Sequence, residues 1–473
     1  MRRRGVHVLG TTRPPARSGT RGGWRASWLV WASIGGLLGV TGACSSPEDA
    51  PAPAVDAGSD ASASDGAAPS DPDGGAADAD ADVVAPPPPP YDFTVQCAGA
   101  PCATRIAARG GTHACVVLHG GSVRCWGANA SGQLGTGRPD GGVLPPVALT
   151  PRPVEGIANA VDVAATGSGR EGTTCVVSGS GDVDCFGSDA WMQLGQPSGG
   201  STAPSPSPAR VDGLQAKSVS LAGTFALAVG TDDRLWSWGT NTTLQLARDP
   251  SAPGAPPDST AARADRLALD VRVCAGTGKT GFAVTPSGEL LSWGGATLEQ
   301  LGRATSLRDG DPIPARIALT EVTSVTTGAA HACALRRGEL HCWGDNDRGQ
   351  LGSGRRADEA FPARVVLPPD VHPVAVAAGA SNTCMVAANG DVYCWGANAA
   401  GQSGTTTRQD QLLPRRIDGL TGEAIALAVM DDSACAVVRD GSVACWGSNL
   451  VGQLGQGTRD VGIHAQARPV VLE

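Results

Sequence analysis

Cysteines are the residues best spaced for chemistry in this 473-residue chain, which holds fourteen of them. Ten form five pairs, Cys115/Cys125, Cys175/Cys185, Cys333/Cys342, Cys384/Cys394 and Cys435/Cys445. The members of each pair lie on alternating apolar runs separated by a Gly-, Asp- or Ser-rich turn, which is a hairpin signal. A turn centred near Gly120 sets residues 115 and 125 opposite each other, within reach of a disulfide. Two further copies of the hairpin carry Leu227 with Ser237 and Phe282 with Ser292 at these positions. Both cysteines are present or both absent, as pairing requires. Zinc is the rival reading, but two sulfurs per hairpin supply only half a tetrahedral shell. Closing a loop of about eleven residues is worth roughly 3 kcal/mol at most in the chain-entropy model. Cys97 and Cys102 (CAGAPC) are expected to form a sixth bridge, and Cys274, with no His or Asp beside it, reads as a buried, inert thiol.

The remaining chemistry-bearing residues are sparse. His113 and His331 occupy one hairpin position at which other copies show Thr173, Phe225, Thr280, Asn382 and Ser433. They are expected to bond to backbone at a strand start rather than to bind metal or act as bases. Asp345 and Asp347 read as a solvated turn. No Ser/His/Asp order, phosphate loop or paired-carboxylate spacing stands out, so no catalytic, cofactor-binding or metal-binding residue is assigned and the chain is not expected to be an enzyme.

The hairpins belong to a larger repeat. A ten-residue run begins at Trp126 (WGANASGQLG), Phe186, Trp238, Trp293, Trp343, Trp395 and Trp446, at intervals of 50 to 60 residues. A period near 50 signals an array of supersecondary units, none able to bury its apolar face alone. Each unit reads as four short strands. The first carries small residues before a glycine, the second and third form the cysteine hairpin, and the fourth carries Pro-x-Arg-Val, as at 208–211 and 362–365. Proline and charge mark that fourth strand as an outer edge. Gln recurs in every run, as Gln133, Gln193, Gln245, Gln300, Gln350, Gln402 and Gln453. So regular a residue is expected to satisfy backbone groups in a turn between units.

The run Trp-Gly-x-Asn-x-x-Gly-Gln-Leu-Gly, the strand 328–333 (GAAHAC) and the Pro-x-x-Val pattern together resemble the regulator of chromosome condensation repeat family. The resemblance covers about residues 103–472 and implies an all-β, seven-bladed propeller of four-stranded blades. Phe186, Asn382 and the drifting third and fourth copies depart from the family pattern. The family's nucleotide-exchange activity on a small nuclear GTPase is not carried over, because fold does not fix function.

The first ninety residues read differently. Residues 1–43 hold seven Arg and no acid; residues 45–90 hold ten acids and no base. An apolar run at 28–40 is too short to span a bilayer and reads as the core of a signal peptide. The segment 40–44 (VTGAC) resembles the lipobox of bacterial lipoproteins, which makes Cys44 the expected lipidation site. Residues 44–90, rich in Ala, Asp and Pro, are expected to be a disordered tether, with the propeller occupying 91–473. Those 383 residues carry 29 basic and 35 acidic side chains, a balance unlike the basic face that nucleic acid requires. The expected protein is thus a monomeric, non-catalytic lipoprotein, held at the outer membrane by its lipid alone and binding an envelope or extracellular protein through long inter-blade loops. The candidate loops are 136–150, 196–208, 247–264 and 303–313. Two other readings stand beside it: an inhibitor of an extracytoplasmic enzyme, or a carbohydrate-binding or carbohydrate-active propeller.

Overall fold

The computed structural model describes residues 91–138, 142–168, 171–196, 202–252, 258–307 and 310–472. The signal-peptide, Cys44 and tether expectations lie outside them. The described residues contain strands and no helix. Blade 1 is an antiparallel meander of Ala103–Ala107, His113–Leu118, Val123–Ala128 and Val147–Pro153. The same order recurs in blade 4 (from Val273–Gly276), blade 5 (Val322–Thr327), blade 6 (Pro373–Ala378) and blade 7 (Ala424–Val429), each named by its first strand. Blades 2 and 3 share one 17-residue strand, Ser205–Leu221. Its 205–215 part pairs with Asp182–Gly187 as the outer edge of blade 2, and 216–221 pairs with Phe225–Gly230 as the inner strand of blade 3. The 27 strands of the described residues therefore fill 7 × 4 = 28 places, and seven blades result.

First strands are innermost. They touch across neighbouring blades, and the ends of those in blades 1 and 7 meet in a parallel bridge, Arg109 with Val429. Turns from first to second strand and connections from third to fourth open on one face, termed here the loop face. The hairpin turns open on the other. This corrects the expected placement of the four long loops: they join the third and fourth strands within a blade and do not run between blades. Parts of them are strand, since Val147–Pro153, Ser205–Leu221, Ala262–Arg263 and Gly310–Arg316 begin inside their bounds.

Seven apolar clusters fill the seven seams, and each is built around the first residue of one ten-residue run. Trp126, Phe186, Trp238, Trp293, Trp343, Trp395 and Trp446 are all fully buried. Each of the six tryptophans donates its Nε1–H to the backbone carbonyl of the Gln in the preceding blade, at 2.8 to 3.0 Å. The bond from Trp126 to the Gln453 carbonyl joins blade 1 to blade 7 and so closes the ring. Phe186 has no N–H; there the Thr174 hydroxyl donates to the Gln133 carbonyl at 2.8 Å.

All seven Gln side chains do one job: the Oε1 atom accepts the N–H two residues earlier, at 2.6 to 2.9 Å. The second residue of the run shows why the repeat needs glycine there. Gly127 has φ of 98°, and a Cβ would sit 2.3 Å from the Thr112 carbonyl oxygen.

Candidate binding face

The ten hairpin cysteines meet as the spacing predicts, each pair directly in register across the second and third strands of its blade. Cys115 bonds Cys125 in blade 1, Cys175 bonds Cys185 in blade 2, and Cys333 bonds Cys342 in blade 5. Cys384 bonds Cys394 in blade 6, and Cys435 bonds Cys445 in blade 7. The sulfurs are 2.05 to 2.12 Å apart, the distance of a disulfide bond. One detail departs from a uniform eleven-residue loop. Arg337-Gly338 makes a two-residue turn, so Cys333 and Cys342 are nine residues apart in sequence where the other four pairs are ten. Cys97 and Cys102 are likewise bonded.

Where the pair is missing, Ser237 and Ser292 each donate a hydroxyl to the carbonyl of the run's leucine, Leu246 or Leu301, at 2.7 Å. Leu227 and Phe282 fill the space opposite. Cys274 is buried, and burial pushes its thiol up to about 12, which keeps it protonated and unreactive.

The two histidines are fully buried, but their partner is not backbone as expected. His113 Nε2 lies 3.0 Å from the Thr174 hydroxyl and His331 Nε2 lies 2.9 Å from the Thr383 hydroxyl, in each case in the next blade. Each threonine hydroxyl already donates to a Gln carbonyl, Gln133 or Gln350, so each imidazole must donate through Nε2–H and remain neutral. Burial lowers His113 to about 4 and His331 to about 3, the latter helped by the charge of Arg109. Both depressions make the folded state refuse a proton that the unfolded chain accepts. They therefore contribute stability that is present above pH 6.5 and lost as the pH falls through the folded values. For His113 the full loss is on the order of 3 kcal/mol. Asp162, raised by burial to about 6, runs the other way between pH 6 and 3.8 and offsets part of that loss. Replacing both histidines by Gln should flatten the fall in Tm between pH 6.5 and about 4; an unchanged slope would contradict the assignment.

Asp345, Asp347 and Asp358 bring carboxylate oxygens within 4.8 Å of one another. Burial raises Asp345 above the usual carboxylate range. These oxygens are engaged in closing the turn: Asp345 accepts from the Asp347 N–H and the Gln350 amide, and Asp358 accepts from the Asn346 N–H. The arrangement is that of a solvated turn.

Sequence reasoning missed the axis. Arg109 extends from the end of the blade 1 inner strand across the ring. Its guanidinium donates to the carbonyls of Leu221 (2.6 Å, blade 3) and of Thr327 and Gly328 (2.6 and 3.1 Å, blade 5). Above it the turns of all seven blades form a funnel of about 240 Å³, lined by Gly110, Thr166, Gly223, Gly278, Gly379 and Asp431 among others. The signal was present in the sequence. In register, Arg109 stands where the other copies place Thr166, Ala222, Thr277, Gly328, Gly379 and Met430. A side groove sharing Thr166, Gly167, Gly223 and Thr224 with the funnel runs out beneath Trp191. Trp191 is 53% exposed, unlike any of the run-leading tryptophans.

The repeat also matches known proteins. The family model described as "Regulator of chromosome condensation (RCC1) repeat" matches residues 337–386 and 389–437, and a second model of the same description matches 103–133, 322–350 and 374–402. These segments are matched as regulator of chromosome condensation repeats. The Ultraviolet-B receptor UVR8 of Arabidopsis thaliana is 29% identical over 243 residues, 50% of this chain and 54% of the receptor. Protein RCC2 of Homo sapiens is 25% identical over 364 residues, 76% of this chain and 61% of that protein. Each match thus spans only half to three fifths of the relative's own length. Among solved structures, human WBSCR16 superposes with a TM-score of 0.64 at 20% identity, covering 75% of this chain and 94% of that one. Yeast RCC1 (Prp20), solved bound to Kap60, superposes with a TM-score of 0.62 at 19% identity, covering 74% and 83%. At these identities the structures speak for the shared seven-bladed fold.

Proposed function

We propose that this chain is a non-catalytic scaffold, exported and lipid-anchored through Cys44, that holds a protein partner on its loop face. The observation that carries the reading is how the two faces are used. On the hairpin-turn face, residues 91–102 already cover the blade 7 turn, with Gln96 N–H donating to the Arg439 carbonyl and Ala98 N–H to the Asp440 carbonyl. The loop face instead presents the funnel and the exposed Trp191. An arginine in the axial funnel and an exposed tryptophan on the adjoining groove are residue types of a protein-binding hot spot.

Export is supported by the six cysteine pairs, which persist in an oxidising compartment and are rare in a reducing one. The Arg-rich start, apolar 28–40 and Cys44 supply the route. Protein binding accords with yeast RCC1, whose structure was solved with Kap60 bound, although no such partner is implied here.

The test is affinity capture from the source cell envelope with the oxidised full chain and its Trp191→Ala variant as baits. One protein enriched on the unsubstituted chain and depleted at least tenfold on the variant is the expected result. Equal recovery on both baits, or retention of polysaccharide alone, would overturn the reading.

A further inference from the structure

The Arg109 guanidinium is a half-buried cation whose five N–H groups meet only three carbonyl acceptors. Among the described residues no carboxylate forms an ion pair with it, and burial alone acts on its pKa, lowering it to about 10. Drawing a guanidinium partly out of water without an ion pair carries a cost that carbonyl dipoles offset only in part. The same guanidinium lines the floor of the axial funnel, so its two remaining N–H groups are available to something entering from the loop face.

The surroundings limit what that can be. The funnel holds about 240 Å³, enough for one side chain and too little for a folded element. Its rim carries Asp431, and Glu171 lines the adjoining groove. A cavity of this size leaves room for one carboxylate that reaches the cation. Trp191, at the end of the groove, offers an apolar contact to the residue beside that carboxylate.

We infer that the funnel receives a single Asp or Glu side chain carried on a loop of the protein partner, with Arg109 as its counter-charge and Trp191 packing an adjacent apolar residue. The inference rests on the scaffold reading above and specifies the chemistry of the partner.

The test uses the oxidised full chain to select from a displayed library of random heptapeptides, followed by titration of the synthetic peptides recovered. Selected sequences should contain an acid next to an apolar residue. Changing that acid to its amide, or Arg109→Met, should weaken binding at least tenfold. Arg109→Met also strips three carbonyls of their donor, so a second variant leaves those bonds intact. Gly278 lines the funnel, a Cβ there would meet no atom within 4 Å, and its φ is not left-handed. Gly278→Asp therefore places a carboxylate of the chain's own in the funnel and should abolish peptide binding while leaving Tm unchanged or raised.

Peptides that bind equally well to all three chains would sink this inference and leave the scaffold reading standing. A selection that yields no binder, or acetate alone raising Tm in an Arg109-dependent way while no peptide does so, would overturn the partner-borne carboxylate. In the acetate case the funnel would be a site for a free small anion.

Discussion

Reduction of the folded chain should lower its stability on the order of 10 kcal/mol, and unevenly, because each hairpin bridge is worth at most about 3 kcal/mol through the entropy it removes from the unfolded state. The five bridges, Cys115–Cys125, Cys175–Cys185, Cys333–Cys342, Cys384–Cys394 and Cys435–Cys445, each close a loop of nine or ten residues' separation. Blades 3 and 4 have no bridge to lose, because Leu227 with Ser237 and Phe282 with Ser292 replace the cysteines. Hydrogen exchange before and after reduction should show the hairpins of blades 1, 2, 5, 6 and 7 losing protection while those of blades 3 and 4 change little. Uniform loss, or free thiols at the ten cysteines in non-reducing peptide maps, would contradict both the bridges and the oxidising compartment.

The second large effect is expected at the ring seam. Trp126 is fully buried between blades 7 and 1, and its N–H holds the Gln453 carbonyl at 2.9 Å. Trp126→Ala should cost about 3–5 kcal/mol. Trp126→Phe should cost about 1–3 kcal/mol, because the buried Gln453 carbonyl loses its donor; in the Phe186 seam the Thr174 hydroxyl supplies that donor, and blade 1 has Ala114 in its place. The location adds to the size. The seam between blades 2 and 3 is crossed by the continuous strand Ser205–Leu221, whereas among the described residues no strand crosses from blade 7 to blade 1. Trp126→Ala should therefore open the ring and expose 91–102 to protease, while Trp238→Ala, with a similar loss of buried surface, should not. Equal proteolysis of the two variants would count against a weak closure.

The repeat made most of this fold legible. Gln at one position in seven runs reads as structural, and the seven Oε1 bonds show it bracing a turn, though within a blade, between its third and fourth strands, and not between units as expected. The residue four places before it does the same kind of work and is harder to see. Asn129, Asp189, Asn241, Asn346, Asn398 and Asn449 each accept the backbone N–H five residues on. Asp in copy two and Ala296 in copy four blur that pattern in the sequence. The histidine partners were hidden for another reason: the threonines they meet lie 61 and 52 residues away, in the next blade. Thr174 and Thr383 follow the histidine position in blades 2 and 6, one blade after His113 and His331, a pairing that only the ring makes meaningful. Arg109 was the hardest to read. Its partners are 112 to 219 residues distant, and nothing local separates an arginine that spans the axis from one that points to solvent.

The most direct measurement of the central claim is hydrogen exchange on the oxidised full chain with and without the protein it captures. A scaffold that binds through its loop face should gain protection there alone, at 109–112, 166–168, 171–172, 222–224 and 278 and in the run holding Trp191. Protection centred instead on the hairpin turns, such as 120–122 and 439–442, would contradict it.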